Sequence, residues 1–190
     1  MSGIFDFSTF PELTTDRLHL RQLTTNDADA IMALFSDPRM LQFLNMDPVD
    51  TREKALDLIN WFKGNYDRGE AVQWAVTLRD SGVMIGSSGT YDWHKSDQHV
   101  DIGYHILPGY WGQGYASEST RAILRWCFTA LQVHRVQADC TDGNIASERV
   151  LLKCDFSVEG LWRESCWEHG RFVSIKQFGL LRHEFEAHQA

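Results

Sequence analysis

Three glycines, Gly109, Gly112 and Gly114, lie within residues 108–116, directly before a stretch with helical periodicity. Glycine leaves the backbone amides of such a turn accessible, and the first turn of a helix adds further unpaired N–H groups. The positive end of the helix dipole lies at the same place. A glycine-rich turn before a helix is therefore suited to binding a phosphate or a diphosphate.

Two common phosphate-binding motifs do not match this turn. A P-loop requires a lysine followed by serine or threonine after its glycines, and no such pair follows here. Gly112-Gln-Gly114 matches the first two glycines of a dinucleotide-binding motif, but Ser117 occupies the place of the third. By itself, the turn is equally consistent with a plain link between a strand and a helix.

The segments around the turn have the patterns of two strand–helix units. Apolar and polar residues alternate over residues 100–106, which predicts a half-buried strand. Apolar residues at helical spacing predict a helix over residues 116–131. A second strand is predicted over residues 135–141 and a second helix over residues 144–153. These elements would position the glycine turn and the residues around Asn144.

The rest of the chain adds further strands and two N-terminal helices. A strand is predicted at residues 18–23, helices over about residues 26–35 and 48–64, a hairpin over residues 73–91, and two strands over residues 156–164 and 171–181. This order predicts an α/β or α+β fold with one mixed sheet and about four helices. We expect one domain over residues 1–190, with a loose N-terminal lead-in (1–12) and a C-terminal tail (183–190).

Composition narrows the classes of function. The formal net charge of −8 argues against general nucleic-acid binding and suits a cationic acceptor, although ordinary acidic solubility is the simpler explanation. No stretch approaches the roughly 18 apolar residues of a membrane span, and the N-terminus lacks a secretory signal pattern. The four cysteines and eight histidines show no metal-ligand spacing. We therefore expect a cytoplasmic protein without a metal or a membrane partner.

Three ordered motifs carry a family resemblance. They are Trp111-Gly-Gln-Gly-Tyr-Ala116, Asn144-x-x-Ser147, and Phe156-x-x-Glu159-Gly160-x-x-Arg163. In this order and at these separations they resemble the GCN5-related N-acetyltransferase (GNAT) superfamily. Within it, the chain most resembles the branch that includes the ribosomal-protein N-terminal (alanine/serine) acetyltransferases. The resemblance covers nearly the whole chain, and it implies a mostly antiparallel sheet in which two central parallel strands splay apart.

The resemblance also implies that acetyl-CoA binds at the splayed strands as the acetyl donor. The implied cofactor-binding residues lie at the end of the first central strand, in the glycine turn and at the start of the later helix: Ile106, Leu107, Gly112, Gln113, Gly114, Tyr115, Ala116, Ser117, Asn144 and Ser147. The amides of the turn would hold the diphosphate, and Asn144 the pantetheine arm. The alternative role of Asn144 is an N-cap of its helix.

Ser147 and Asp101 are the predicted catalytic residues. The Ser147 hydroxyl can hydrogen-bond the departing thiolate, and the Asp101 carboxylate can accept the ammonium proton directly or through water. The alternatives are a small residue packed against the cofactor for Ser147, and a structural or substrate-orienting charge for Asp101. Glu164, Glu168 and His105 are reserve candidates for the base.

The chain departs from the resembled pattern at several positions. Leu151 stands where much of the superfamily has a tyrosine acid, and Trp111 stands where Arg or Gln is common. Ser174 replaces an aspartate that is frequent in the branch, which puts a ribosomal-protein substrate in doubt. Cys166 is a further candidate nucleophile, although direct attack by an amine needs no covalent intermediate.

The predicted activity is acetyl-CoA-dependent transfer of an acetyl group directly to a primary amine. The acceptor would be a protein N-terminus or a small molecule. The resemblance implies that the connection between the two N-terminal helices helps to form the acceptor site. That connection contains Met40, Leu41, Phe43, Leu44 and Met46, for which a purely core role is the alternative. The rival function is a non-catalytic acyl-CoA-binding regulatory module. Both a monomer and a homodimer fit the sequence.

Overall fold

Eight strands form one sheet in the computed structural model, which describes residues 5–188. The strands are β1 (Leu13–Thr14), β2 (Leu18–Gln22), β3 (Gln73–Leu78), β4 (Met84–His94), β5 (His99–Ile106), β6 (Arg135–Thr141), β7 (Ser157–Glu168) and β8 (Arg171–Leu181). Six α-helices occur within the same residues: α1 (Ala28–Ser36), α2 (Pro38–Leu41), α3 (Arg52–Asp67), α4 (Tyr115–Trp126), α5 (Ile145–Lys153) and α6 (Arg182–Ala187). None of these described helices has the length and apolar character needed to cross a membrane.

The sheet is mixed and mostly antiparallel, as predicted. Its strand order is β1-β2-β3-β4-β5-β6-β8-β7, and only β5 and β6 run parallel to each other. A parallel pair needs a long crossover connection, which α4 provides between these two strands. The glycine turn lies at the start of that crossover, directly after β5.

The parallel strands separate soon after they begin. Their pairing covers only His99 with Arg135, Val100 with Val136 and Asp101 with Gln137. Beyond Asp101, β5 continues beside β4 alone, whereas β6 continues beside β8. The two strands therefore splay toward their carboxyl ends, and the resulting gap is the central feature of the fold.

Helices cover both faces of the sheet. Trp74 and Val76 of β3 join the larger hydrophobic core, which also contains Ile123 of α4. Ala75, between them, joins a second core with Ile31 of α1. Because successive strand residues point to opposite faces, this arrangement requires β3 to be apolar at every one of these positions.

The helix predicted over residues 116–131 is divided into two parts. α4 ends at Trp126, and Cys127–Leu131 follows as a π-helical turn. Arg182 donates hydrogen bonds to the carbonyl of Phe128 in this turn (2.9 Å) and to that of Val133 just beyond it (2.6 Å). A distant arginine thus satisfies a carbonyl group at the irregular end of the helix.

Aromatic side chains near both ends of the described residues pack against the body of the protein. In the predicted lead-in, Phe7 and Phe10 pack on Tyr66, with ring centroids 5.2 and 4.9 Å apart. In the predicted tail, α6 forms, and its Phe185 stacks on Phe128 at 4.7 Å. The rest of the predicted lead-in and tail, residues 1–4 and 189–190, lies outside the described residues.

Candidate active site

A cavity of about 720 Å³ lies where β5 and β6 separate. Its walls include eight of the predicted cofactor-binding residues: Ile106, Gly112, Gly114, Tyr115, Ala116, Ser117, Asn144 and Ser147. Leu107, Gln113 and Asp101 are not part of its lining. The structure therefore brings the glycine turn, the start of α5 and the end of β5 together around one space.

The glycine turn presents a series of backbone amides with no acceptor. The first helical hydrogen bond of α4 runs from the Glu118 amide to the Gly114 carbonyl (3.0 Å). Among the described residues, no carbonyl or side chain accepts from the amides of residues 112–117. Gly112 and Gly114 have φ angles of +74° and +84°, which other residues adopt only with strain. This conformation and the free amides fit an anion of diphosphate type.

Arg17 contacts both the glycine turn and the start of α4. Its Nη1 donates to the Gln113 carbonyl (3.0 Å), its Nε donates to Glu118 (2.6 Å), and its guanidinium carbon lies 4.4 Å from the Tyr115 ring centre. A trans peptide is planar, so fixing the Gln113 carbonyl toward Arg17 turns the Gly114 N–H to the opposite side. Thr15 also donates to Glu118, at 2.5 Å. Burial alone would raise the pKa of Glu118, but these hydrogen bonds lower it, which keeps the carboxylate charged.

The substitution Arg17→Met is expected to weaken CoA binding about tenfold, the equivalent of about 1.4 kcal/mol. It keeps the apolar stem but releases the Gln113 carbonyl and removes a positive charge beside the turn. Calorimetric titration with CoA measures the change, and Arg52→Met is the matched control because Arg52 forms an exposed ion pair with Asp29. Equal CoA affinity in both variants would show that Arg17 does not order the turn.

The end of β5 is already partly hydrogen-bonded. The Trp111 indole donates to the Ile106 carbonyl (2.5 Å), and the Leu107 amide donates to the Ile85 carbonyl (2.8 Å). Trp111 stands where Arg or Gln is common in the resembled superfamily. Its indole hydrogen bond connects the glycine turn to the end of β5. Ile106 still lines the cavity, whereas the backbone amide of Leu107 is not free for a ligand.

Asn144 and Ser147 lie at the start of α5. The Asn144 side-chain oxygen accepts from the Ser147 amide (3.2 Å), so its N-cap role is observed. The amide nitrogen of the same side chain makes no hydrogen bond to the described part of the chain and remains available to a ligand in the cavity. The Ser147 hydroxyl lies 2.8 Å from the Tyr104 hydroxyl. Leu151, one turn further along, is fully buried in the core.

Glu168, which is predicted only as a reserve candidate for the base, also lies at the cavity. Glu168, the last residue of β7, lines the cavity, is 6% exposed and accepts from the Thr141 hydroxyl (3.2 Å). The Thr141 carbonyl in turn accepts from the Asn144 amide (3.0 Å). The end of β6 therefore connects Glu168 with the helix that carries Ser147, and a carboxylate and a hydroxyl border the same space.

Asp101 has a different environment. Its carboxylate accepts from the Gln137 side chain (2.9 Å), at the last parallel pair before the strands separate. Burial raises the pKa of Asp101, and it also raises the pKa of Asp139, which lines the cavity and is near Asp101 and Glu168. The negative charges of Asp101 and Glu168 raise the pKa of Asp139 further, since like charges close together resist ionisation.

The reserve residues His105 and Glu164 differ in position. His105 lines the cavity, and burial lowers its pKa to about 4, so the imidazole is neutral at physiological pH. Its ring packs edge-on against Phe35 at 5.1 Å. Glu164 lies outside the lining, in a bulge of β7, where its amide donates to the Ser174 hydroxyl (3.1 Å).

Residues in and directly after α2 also line the cavity. Its lining residues are Arg39, Met40, Gln42, Phe43, Leu44 and Asn45. Two contacts tie this segment to the tip of the β7–β8 hairpin: His169 with the Leu41 carbonyl (2.9 Å), and Asn45 with the Cys166 sulfur (3.8 Å). This part of the lining contains one charged side chain, Arg39, and lies next to the hairpin tip that carries Glu168.

The mixed sheet with its splayed parallel pair is the GNAT type of fold. A model of the acetyltransferase (GNAT) domain family matches residues 17–157, and the chain belongs to this family of N-acetyltransferases. The chain is 35% identical to the uncharacterized N-acetyltransferase YoaA of Bacillus subtilis, over 91% of this chain and 98% of the relative.

Solved structures share the fold. RimL, a ribosomal L7/L12 alpha-N-protein acetyltransferase in complex with coenzyme A, has a TM-score of 0.83 at 19% identity and covers 90% of this chain and 98% of its own. Spermidine N-acetyltransferase from Vibrio cholerae, in complex with CoA and spermine, has a TM-score of 0.80 at 19% identity over 90% of this chain and 99% of its own.

Proposed function

We propose that the protein transfers the acetyl group of acetyl-CoA directly to a primary amine. The observation that carries this proposal is the single cavity that joins the free amides of the glycine turn, the Ser147 hydroxyl and the Glu168 carboxylate. Transfer from a thioester requires a held donor, stabilisation of the leaving thiolate and a group that takes the amine proton. The cavity supplies a residue for each requirement.

Acetyl-CoA would bind along the side of the cavity formed by α4 and α5. The amides from Gly112 to Ser117 and the positive end of α4 favour the diphosphate. The free amide group of Asn144 suits a carbonyl of the pantetheine arm. Ser147 then lies beyond Asn144 along the cavity wall, where its hydroxyl can hydrogen-bond the thioester sulfur.

Glu168 is a better candidate for the base than Asp101. Glu168 lines the cavity, whereas Asp101 lies outside the lining and its carboxylate is engaged by Gln137. In the reaction, the neutral amine forms a bond to the acetyl carbon, the carbon–sulfur bond breaks with its electron pair on sulfur, and Glu168 takes one proton from nitrogen. The thiolate of CoA then takes a proton from solvent.

The Cys166 side chain is not required by this mechanism. Its sulfur, near the tip of the β7–β8 hairpin, contacts the Asn45 side chain. The pKa of the Cys166 thiol is raised, so the unreactive thiol form dominates at neutral pH.

Ser174 lies outside the cavity lining, and its hydroxyl accepts from the Glu164 amide. The position of the missing branch aspartate therefore contributes nothing to the cavity walls.

The acceptor would bind in the part of the cavity lined by the α2 segment and the end of β7. Apolar Phe43 and Leu44 line the same cavity as the carboxylates of Asp139 and Glu168. This combination suits an amine attached to an apolar or extended group. It is compatible with a protein N-terminus and with a small amine, the two acceptor types that occur in the names of structural neighbours.

Amine-dependent release of CoA tests the proposal. Wild-type protein is incubated with acetyl-CoA and either spermidine, peptides with N-terminal alanine or serine, or free amino acids, and the released thiol is titrated. We expect at least one class to raise thiol release well above hydrolysis without amine, with sequential kinetics in two-substrate plots. Parallel-line (ping-pong) kinetics, or CoA binding without release for every class, would contradict direct transfer to an amine.

A further inference from the structure

Tyr104 connects β5 with the first turn of α5 at the gap between the central strands. It lies on β5 three residues beyond Asp101, where pairing with β6 has ended, and its side chain lines the cavity. The Tyr104 hydroxyl lies 2.8 Å from the Ser147 hydroxyl and 3.0 Å from the Ser147 carbonyl. A phenol from the first central strand therefore contacts the one hydroxyl that the proposed reaction uses.

The two contacts allow two arrangements of the hydroxyl hydrogens of Tyr104 and Ser147. If the phenol donates to the Ser147 carbonyl, the Ser147 hydroxyl donates to the phenol and has no proton for the cavity. If the phenol donates to the Ser147 hydroxyl oxygen, the serine proton is free to point elsewhere. The carbonyl of Ser147 is in the first turn of α5, where it already accepts from the amide four residues later. The second arrangement therefore satisfies more groups once an acceptor lies in the cavity.

We infer that Tyr104 is a positioning residue that directs the Ser147 hydroxyl toward the sulfur of CoA. This inference rests on the proposed function and adds a residue to it. Burial raises the pKa of the Tyr104 phenol, so its proton is present throughout the neutral range. In the acetyl-transfer step the electron pair of the breaking carbon–sulfur bond moves to sulfur, and the serine proton hydrogen-bonds the developing thiolate. No proton leaves Tyr104 in this step.

An equilibrium measurement tests the inference without turnover. Ultraviolet absorbance follows the titration of the CoA thiol to thiolate in the complex with protein. A hydrogen bond from Ser147 favours the thiolate, so we expect a lower pKa for the bound thiol than for free CoA. Tyr104→Phe and Ser147→Ala should each raise this pKa by about one unit, and the double variant should raise it no further.

Three controls separate the possible outcomes. Tyr66→Phe removes a buried phenol that has no hydrogen-bond partner and lies outside the cavity lining, so it should leave the bound thiol unchanged. Affinity for CoA within about twofold of wild type shows that Tyr104→Phe has not distorted the site. In amine turnover, Tyr104→Phe should lower kcat about tenfold, with no additional loss in the Ser147→Ala background.

Each result bears on a different claim. A thiol pKa equal in wild type and Tyr104→Phe, or additive effects of the two substitutions, would overturn the role of Tyr104. Normal CoA binding and the expected thiol shifts, combined with no turnover of any amine, would contradict the proposed function while supporting the hydroxyl pair. Failure of CoA to bind would overturn both.

Discussion

Replacing Glu168 by glutamine is expected to lower kcat by about 10²- to 10³-fold, the usual contribution of a general base. Glutamine has the same shape and can still accept from the Thr141 hydroxyl, but it cannot take a proton from the attacking amine. Steady-state thiol release at saturating acetyl-CoA measures the effect. Affinity for CoA should remain within about twofold of wild type, because the Glu168 carboxylate is hydrogen-bonded to Thr141 and not to the glycine turn.

Two matched variants make this result specific. Glu164→Gln changes an exposed carboxylate on the same strand, outside the cavity lining, and should keep wild-type kcat. Asp101→Asn tests the residue that the sequence analysis predicts as the base. We expect its effect on kcat to be much smaller than that of Glu168→Gln, since its carboxylate is held by Gln137. A large loss in Asp101→Asn with normal activity in Glu168→Gln would reverse the assignment.

Replacing Gly112 by aspartate is expected to weaken CoA binding at least 100-fold. The Cβ of a residue at position 112 would have no atom within 4 Å, so a side chain has room there and extends beside the free amides. A carboxylate at this position repels the diphosphate and can occupy the amides itself. The φ of +74° adds a strain of about 1–3 kcal/mol to any substitution, which lowers thermal stability but leaves the fold intact.

Comparison with asparagine isolates the charge. Gly112→Asn has nearly the same size and tolerates positive φ similarly, so we expect it to lose less than tenfold in CoA affinity. Gly82→Asp imposes the same backbone demand, with φ +71° and open space, but lies outside the cavity lining and should bind CoA normally. Equal CoA affinity of the aspartate and asparagine variants at position 112, measured by calorimetry, would contradict a diphosphate at the turn.

Position 114 is less suitable for this test. A Cβ on Gly114 would lie 3.5 Å from a terminal nitrogen of Arg17, so a carboxylate there has a cation within reach. The glycine at 114, like that at 112, is required by its positive φ angle, since a Cβ there would make only an ordinary contact with Arg17.

Local patterns in the sequence were sufficient for most of the fold. Alternating residues predicted β5 and β6, and the glycine turn between β5 and α4 followed from the change in periodicity. The irregular end of α4 did not follow from pattern, because a carbonyl there is satisfied by Arg182, more than fifty residues away in the chain. The packing of Phe7 and Phe10 on Tyr66 likewise depends on contacts between distant segments.

The site was predictable where it depends on one short segment. The glycine turn and Asn144 with Ser147 were found as motifs, and the structure places them around one cavity. Glu168 was named only as a reserve, because its approach to the cavity depends on a bulge between Trp162 and Cys166 and on the two-residue turn that follows. Neither feature has a unique local pattern. The contact of Tyr104 with Ser147 similarly joins residues more than forty positions apart.

The most direct test of the account is the crystal structure of the protein with CoA bound. We predict the diphosphate against the amides of residues 112–117, the pantetheine arm between β5 and β6 beside Asn144, and the sulfur within hydrogen-bond distance of the Ser147 hydroxyl. Glu168 should face the sulfur across the remaining space. Well-defined CoA at another surface, with the glycine turn unoccupied, would contradict the central claim that this cavity is the acetyl-transfer site.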